Sequence, residues 1–196
     1  MGAGTKTPRI AILISGTGSN MEAIVAARKS GALDAEIALV ASDNPAAAGI
    51  EKARRAGIET FVSPYRKGVP REENEAPIAD AIRAHAADWI VLAGYMRILS
   101  SAFVRAFPGR IVNIHPSLLP AFPGAHAIRD ALEGGADRTG VTIHIVDELV
   151  DHGPILAQEE VAILPDDTEE TLAPRIHAVE HRLYPRTLQQ LLHEDI

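Results

Sequence analysis

The sequence contains no cysteine, which excludes disulfide bonds, thiolate zinc sites and a cysteine nucleophile. It also has no long apolar run, since no stretch approaches the roughly 20 residues that a membrane-spanning helix needs. Basic residues are outnumbered, with 19 Lys and Arg against 26 Asp and Glu, and the formal net charge of −7 argues against a dedicated nucleic-acid surface. We therefore expect a cytoplasmic protein that binds neither nucleic acid nor membrane.

What the sequence does contain is typical of one globular domain. Its 196 residues are 46% hydrophobic, enough for a single compact unit with a sizeable core. The opening "MGAGTKTP" has no apolar segment and is predicted to be a flexible leader of residues 1–8. The domain is predicted to span residues 9–196.

Apolar, strand-like segments alternate with helical patterns along most of the chain. The predicted strands are 9–15, 36–42, 59–63, 88–94 and 110–116, and the predicted helices are 19–30, 45–57 and a third that reaches about residue 87. Buried strands separated by helices favour an α/β fold with a mostly parallel, twisted sheet and helices on both faces. Two more strands, 139–146 and 154–163, predict a hairpin added to the sheet edge, and a last helix follows at 168–192.

The first strand-to-helix turn reads "SGTGSN", residues 15–20. Its glycines let the backbone approach a ligand, and Ser19 is expected to cap the helix. Amides and the dipole at a helix start attract anions, so a phosphate is the expected ligand. Dinucleotide binding is the alternative, with Asp43 as the ribose acid, although Met21 occupies the position of the third glycine.

A second motif, "IVNIHPSLLP", places Asn113 and His115 on one side of a strand that Pro116 ends. The carboxyl ends of strands in open α/β sheets are where ligands bind, so this amide and imidazole are candidate catalytic groups. The acidic loop "DELVDHG" (147–153) follows a strand that carries His144. A carboxylate from this loop within reach of His115 would favour the protonated imidazole.

A third motif, "HAVEH" (177–181), matches a zinc-protease pattern, because His177 and His181 share a helix face. A catalytic zinc needs a third ligand, and no other motif supplies one, so we expect no metal. Glu180 is then free to face the cleft.

Five segments together resemble the folate-dependent formyltransferases: "ISGTGSN" (14–20), "LAGYMRIL" (92–99), "NIHPSLLPAFPG" (113–124), "GVTIHIVDELVDHGPILAQ" (140–158) and "EHRLYP" (180–185). The resemblance covers nearly the whole chain and implies a Rossmann-like formyltransferase fold. It implies that Asn113, His115 and Asp151 are catalytic. The other implied site residues are Gly18, Ser19 and Asn20 for the substrate phosphate, Glu180 for its ribose, and Met96, Arg97, Ile98, Leu99, Val146, Asp147, Glu148, Leu149 and Val150 for the folate, with His144 beside them.

The implied activity is transfer of a formyl group from 10-formyltetrahydrofolate to the amine of glycinamide ribonucleotide in purine synthesis. Members of this family that act on tRNA or on water carry an additional domain, which we do not expect here. A homodimer is compatible with the resemblance. Two alternatives lie outside it: a nucleotide-dependent oxidoreductase or binding module built on the turn at residues 15–20, and a structural protein without catalytic activity.

Overall fold

The computed structural model describes residues 6–193 and has six helices packed around one seven-stranded sheet. The strands are β1 (Arg9–Ile14), β2 (Glu36–Ser42), β3 (Thr60–Val62), β4 (Trp89–Leu92), β5 (Ile111–His115), β6 (Arg138–Ile145) and β7 (Ile155–Ala162). The helices are α1 (Ser19–Ser30), α2 (Ala48–Arg55), α3 (Arg71–Ala84), α4 (Ser101–Ala106), α5 (Ala127–Glu133) and α6 (Glu169–His193).

The strand order in the sheet is β3-β2-β1-β4-β5-β6-β7. The first five strands pair in parallel, whereas β6 is antiparallel to β5 and β7 is antiparallel to β6. The predicted parallel sheet with an edge hairpin is therefore confirmed. No helix within residues 6–193 combines the length and apolar character needed to cross a membrane.

Two apolar cores cover the two faces of the sheet, because successive side chains of β1 point in opposite directions. Ile12 packs in the core that includes α1, α2 and α6, whereas Leu13 packs in the core that includes α3 and α4. Both residues are fully buried. Helices on both faces were predicted from the continuous apolar strands, and this prediction is confirmed.

Several predicted boundaries were wrong. The second helix begins at Ala48 and not at 45, because Asn44 organises a turn in which its side-chain oxygen accepts from the amide of Ala46. Gly18, and not Ser19, is the N-cap of α1, with no side-chain cap. Helices α4 and α5 were not predicted at all. Of the predicted leader, residues 1–5 lie outside the described residues.

Candidate active site

The glycine turn after β1 is shaped partly by helix packing. Gly18 has φ +74°, and a Cβ placed on it would lie 2.9 Å from the Cα of Gly49 in α2. A larger residue would therefore clash with backbone as well as strain the turn. A Cβ on Gly16 would meet nothing within 4 Å. Gly18 is thus needed for the fold itself, whereas the space beside Gly16 is open.

Two predicted ribonucleotide residues meet in the interior beside this turn. Asn20 Nδ2 donates to Glu180 Oε2 at 3.0 Å, and the two residues are 8% and 5% exposed. Burial raises the pKa of the Glu180 carboxyl, although the amide of Asn20 and the imidazoles of His177, His181 and His115 oppose that rise. Asn20 Oδ1 is buried and has no hydrogen-bond partner within residues 6–193. This pair is a desolvated polar site with unused hydrogen-bonding capacity.

The antiparallel pairing of β6 with β5 places His144 directly opposite Asn113. His144 Nδ1 lies 2.9 Å from the carbonyl of Ile145, so Nδ1 carries the proton and Nε2 is an acceptor. Asn113 Nδ2 lies 3.2 Å from this Nε2 and donates to it. Burial lowers the pKa of His144, which favours the neutral ring that this contact requires. One N–H of the Asn113 amide is thereby fixed.

His115 ends β5 as predicted, and its two ring nitrogens have different surroundings. Nε2 donates to the carbonyl of Phe122 at 2.9 Å. Nδ1 faces Asp151 Oδ2 at 3.5 Å, and that oxygen also accepts from the amide of Gly124 at 2.8 Å. Asp151 has φ +52°, a left-handed conformation that few non-glycine residues adopt. The structure therefore brings Asn113, His115 and Asp151 together, as the sequence predicted.

A cavity of about 280 Å³ opens above these three residues. One wall is the segment 94–99, called here the 94–99 wall, and the opposite wall is the segment 146–151. Four large apolar side chains at these walls are half or more exposed: Met96, Ile98, Leu149 and Val150. Every residue predicted for the folate lines this cavity, and so does His144. The cavity lies against the face of β5 that carries Asn113 and His115, and not only at the strand end.

The predicted ribonucleotide residues do not line this cavity. Asn20, in the helix that Gly18 caps, forms a separate buried pair with Glu180, called with Gly18 the Asn20–Glu180 cluster, and Ser19 lines an open groove between α1 and α6. His115 is among the groups that act on the pKa of the Glu180 carboxyl, which relates this cluster to the end of β5. The site thus has two parts, one exposed and partly apolar, the other buried and polar.

Asp43 is not available as the ribose acid of a dinucleotide site. Its side chain is 3% exposed, and one oxygen accepts from Ser15 Oγ at 2.5 Å while the other accepts from Arg97 Nε at 2.6 Å.

His177 and His181 stack with their ring centroids 6.3 Å apart. Within residues 6–193, no three His, Asp or Glu side chains are grouped as metal ligands would be.

Sequence reasoning missed the backbone groups of the site, the carbonyl of Phe122 and the amide of Gly124. Both lie in the segment "AFPG" (121–124), whose proline and glycine are typical of a turn but do not specify its contacts. It also missed Ser15, whose hydroxyl accepts from the amide of Met96 at 2.8 Å.

Comparison with known proteins gives consistent results. The model of the family described as "Formyl transferase" matches residues 8–188. The chain is 43% identical over 184 residues to phosphoribosylglycinamide formyltransferase of Bacillus subtilis (strain 168), covering 94% of each chain. It is 46% identical over 186 residues to the trifunctional purine biosynthetic protein adenosine-3 of Drosophila melanogaster, covering 94% of this chain but 14% of that protein.

Solved structures agree with these relatives. The crystal structure of phosphoribosylglycinamide formyltransferase from Bacillus halodurans superposes with a TM-score of 0.92 at 47% identity, covering 96% of this chain and 97% of that one. The corresponding protein from Brucella melitensis gives a TM-score of 0.89 at 47% identity, over 97% and 98% of the two chains. The chain described here belongs to the formyl transferase family.

Proposed function

We propose that this protein transfers the formyl group of 10-formyltetrahydrofolate to the amine of glycinamide ribonucleotide, a step of purine synthesis. The observation that carries the proposal is the convergence of Asn113, His115 and Asp151 at the cavity between residues 94–99 and 146–151. Relatives that match this chain over nearly their full length bear the name of that activity. A cytoplasmic location and a homodimer stay predictions.

Each substrate has a part of the site suited to it. The folate ring system would enter the cavity, where exposed apolar side chains such as Met96 and Leu149 gain contacts on binding. The ribonucleotide would place its phosphate at the start of α1, near residues 18–20, and its ribose hydroxyls at Glu180. The acceptor amine would then point toward the end of β5, where the formyl group arrives.

Attack of the amine nitrogen on the formyl carbon forms a C–N bond and moves an electron pair onto the formyl oxygen. Asn113 is placed to stabilise that oxygen, because one of its N–H bonds is fixed on His144 and the other is left for the oxyanion. A preoriented donor of this kind is worth about 10²–10³ in turnover. His144 therefore acts through Asn113 and is a positioning residue.

The reaction also needs two proton movements. The attacking amine becomes positively charged and must lose a proton, which Asp151 would accept directly or through water. The folate nitrogen must gain a proton as its bond to the formyl carbon breaks. We assign that proton to Nδ1 of His115, since Nε2 is committed to the carbonyl of Phe122 and Nδ1 faces Asp151. The protons balance, and the enzyme regains its starting state when Asp151 returns a proton to His115.

The test of the proposed function is a spectrophotometric assay for tetrahydrofolate release from 10-formyltetrahydrofolate. It is run with glycinamide ribonucleotide, with methionyl-tRNA and without an acceptor. Release that depends on the ribonucleotide is the expected result. Release without any acceptor would make the protein a hydrolase, and release that needs methionyl-tRNA would change the acceptor class.

The same assay tests the role of Asn113. Asn113→Ala is expected to lower kcat by about 10²–10³ with a small change in KM for either substrate, because the missing contact forms in the transition state. Asn113→Asp keeps the shape but offers no N–H, so it should lose activity as well. Turnover near that of the wild type in both variants would contradict the assignment.

A further inference from the structure

Arg97 lies in the cavity wall, but its side chain is directed to a carboxylate behind that wall. Its Nε donates to Asp43 Oδ2 at 2.6 Å, and its guanidinium carbon lies 4.1 Å from the ring centroid of Tyr65. The Arg97 side chain is 43% exposed, whereas that of Asp43 is 3% exposed. An ion pair with one buried member carries a desolvation cost, so its presence at the cavity wall is weak evidence of a role in stability alone.

The same carboxylate reaches the 94–99 wall by a second path. Its other oxygen accepts from Ser15 Oγ at 2.5 Å, and that hydroxyl accepts from the amide of Met96 at 2.8 Å. The backbone amide of Ser15 also donates to the carbonyl of Gly94 at 3.0 Å. Asp43 is therefore connected to this wall at Met96 through Ser15 and at Arg97 directly.

The far end of the wall has an anchor of its own. Buried Glu75 accepts from the backbone amide of Ser100 at 2.8 Å and also from its hydroxyl, and Ser100 caps α4. Because this anchor is independent, loss of Asp43 would loosen the near end of the wall and leave the fold in place. Tyr95 lies within the electrostatic reach of both Asp43 and Glu75, and burial raises its pKa.

We propose that Asp43 is a positioning residue for the folate co-substrate: through Arg97 and Ser15 it holds the 94–99 wall in the shape that binds folate, and it takes no part in the chemistry. This inference rests on the proposed function and deepens it. It also means that the Arg97 side chain holds the 94–99 wall in place and does not contact the ligand directly. When the wall is already ordered, ligand binding does not have to supply the free energy of ordering it. Loss of Asp43 should therefore weaken folate affinity and leave turnover unchanged.

The test combines kinetics with direct binding of tetrahydrofolate by titration calorimetry. Asp43→Ala is expected to raise the KM for 10-formyltetrahydrofolate and the Kd for tetrahydrofolate about tenfold, which is about 1.4 kcal/mol. The kcat and the KM for the ribonucleotide should stay within about twofold of the wild type. Arg97→Ala, which truncates a half-exposed side chain, should also raise the folate KM and Kd, and urea unfolding of each variant checks that it is folded. Glu169→Ala, which removes an exposed ion pair with Arg129, is the control.

A double variant tests whether Asp43 and Arg97 affect folate binding through one shared contact or independently. Asp43→Ala with Arg97→Ala should weaken folate binding by about as much as Asp43→Ala alone, since Arg97 holds the wall through Asp43. An unchanged folate affinity in Asp43→Ala, or a loss confined to kcat, would overturn the positioning role, and so would multiplicative losses in the double variant. If the wild type binds tetrahydrofolate but releases none with the ribonucleotide, the proposed function fails while the binding arm still decides the role of Asp43.

Discussion

Replacing the buried carboxylate of Glu180 by an amide should make the protein more stable and, on the proposed function, weaken its binding of glycinamide ribonucleotide. In Glu180→Gln the amide of Asn20 keeps an oxygen to donate to. The new NH₂ group can donate in return to Asn20 Oδ1, which is buried without a partner within residues 6–193. The substitution therefore removes a desolvated charge and satisfies an orphaned acceptor at the same time.

The magnitude has two parts. A new buried hydrogen bond contributes about 1 kcal/mol net. The charge contributes further in the same direction, because burial raises the pKa of Glu180 in the folded protein and so penalises the ionised carboxylate that the amide replaces. For a domain of this size, each kcal/mol corresponds to a rise in Tm of about 2–4 °C.

The pH dependence follows from the direction of the pKa change. A carboxyl whose folded pKa is raised stabilises the fold below its ordinary value of 4.5, and that contribution is lost as the pH rises through the folded pKa. The stability advantage of Glu180→Gln over the wild type should thus be smallest near pH 4 and widen toward neutral pH.

Loss of a charged acceptor should also raise the KM for the ribonucleotide by about tenfold or more.

Thermal or urea unfolding at pH 4, 5.5 and 7 measures this advantage, with exposed Glu169→Gln on the same helix as the control. A variant less stable than the wild type at pH 7 would refute the reasoning. An advantage that does not change with pH would refute its electrostatic part.

Two further predictions concern the turn after β1 and the imidazole behind Asn113. Gly18→Ala should lower the free energy of unfolding by about 1–3 kcal/mol, since its φ is +74° and its Cβ would meet backbone, whereas Gly16→Ala should change it by less than about 0.5 kcal/mol. Equal losses in urea unfolding would contradict this. His144→Phe should lower kcat by up to about 10²-fold with a small change in folate KM, because the Asn113 amide loses its fixed orientation. An unchanged kcat would show that Asn113 is oriented without it.

The architecture was largely predictable because the strands are continuous apolar runs, and Ile10 to Ile14 of β1 are each fully buried. The missed helices, Ser101–Ala106 and Ala127–Glu133, have six and seven residues, too few to show a helical period. A local signal did exist for α4, since Ser100 accepts from the amide of Phe103 as an N-cap does.

Predictability within the site depended on whether a contact follows from strand geometry or from tertiary register. Asn113 and His115 share a face of one strand, so their proximity could be stated from spacing alone. The contact between Asn113 and His144 depends on the register of β5 against β6, which the sequence does not specify. The ion pair of Asp43 with Arg97 joins residues 54 positions apart and required the fold to be known.

Helix α6 has a consequence for how the two substrates would meet. It carries Glu180 and, one turn later, the fully buried Tyr184, whose hydroxyl lies 3.0 Å from the carbonyl of Leu92 in β4 and 3.1 Å from that of Val112 in β5. The helix is thereby fixed along its axis against the two strands that lead to the cavity. Reacting atoms must approach to about 3–3.5 Å for group transfer. Because Glu180 lies one turn from Tyr184 on the same helix, regular secondary structure sets its position relative to β4 and β5, and it would set in the same way the position of an acceptor bound at Glu180.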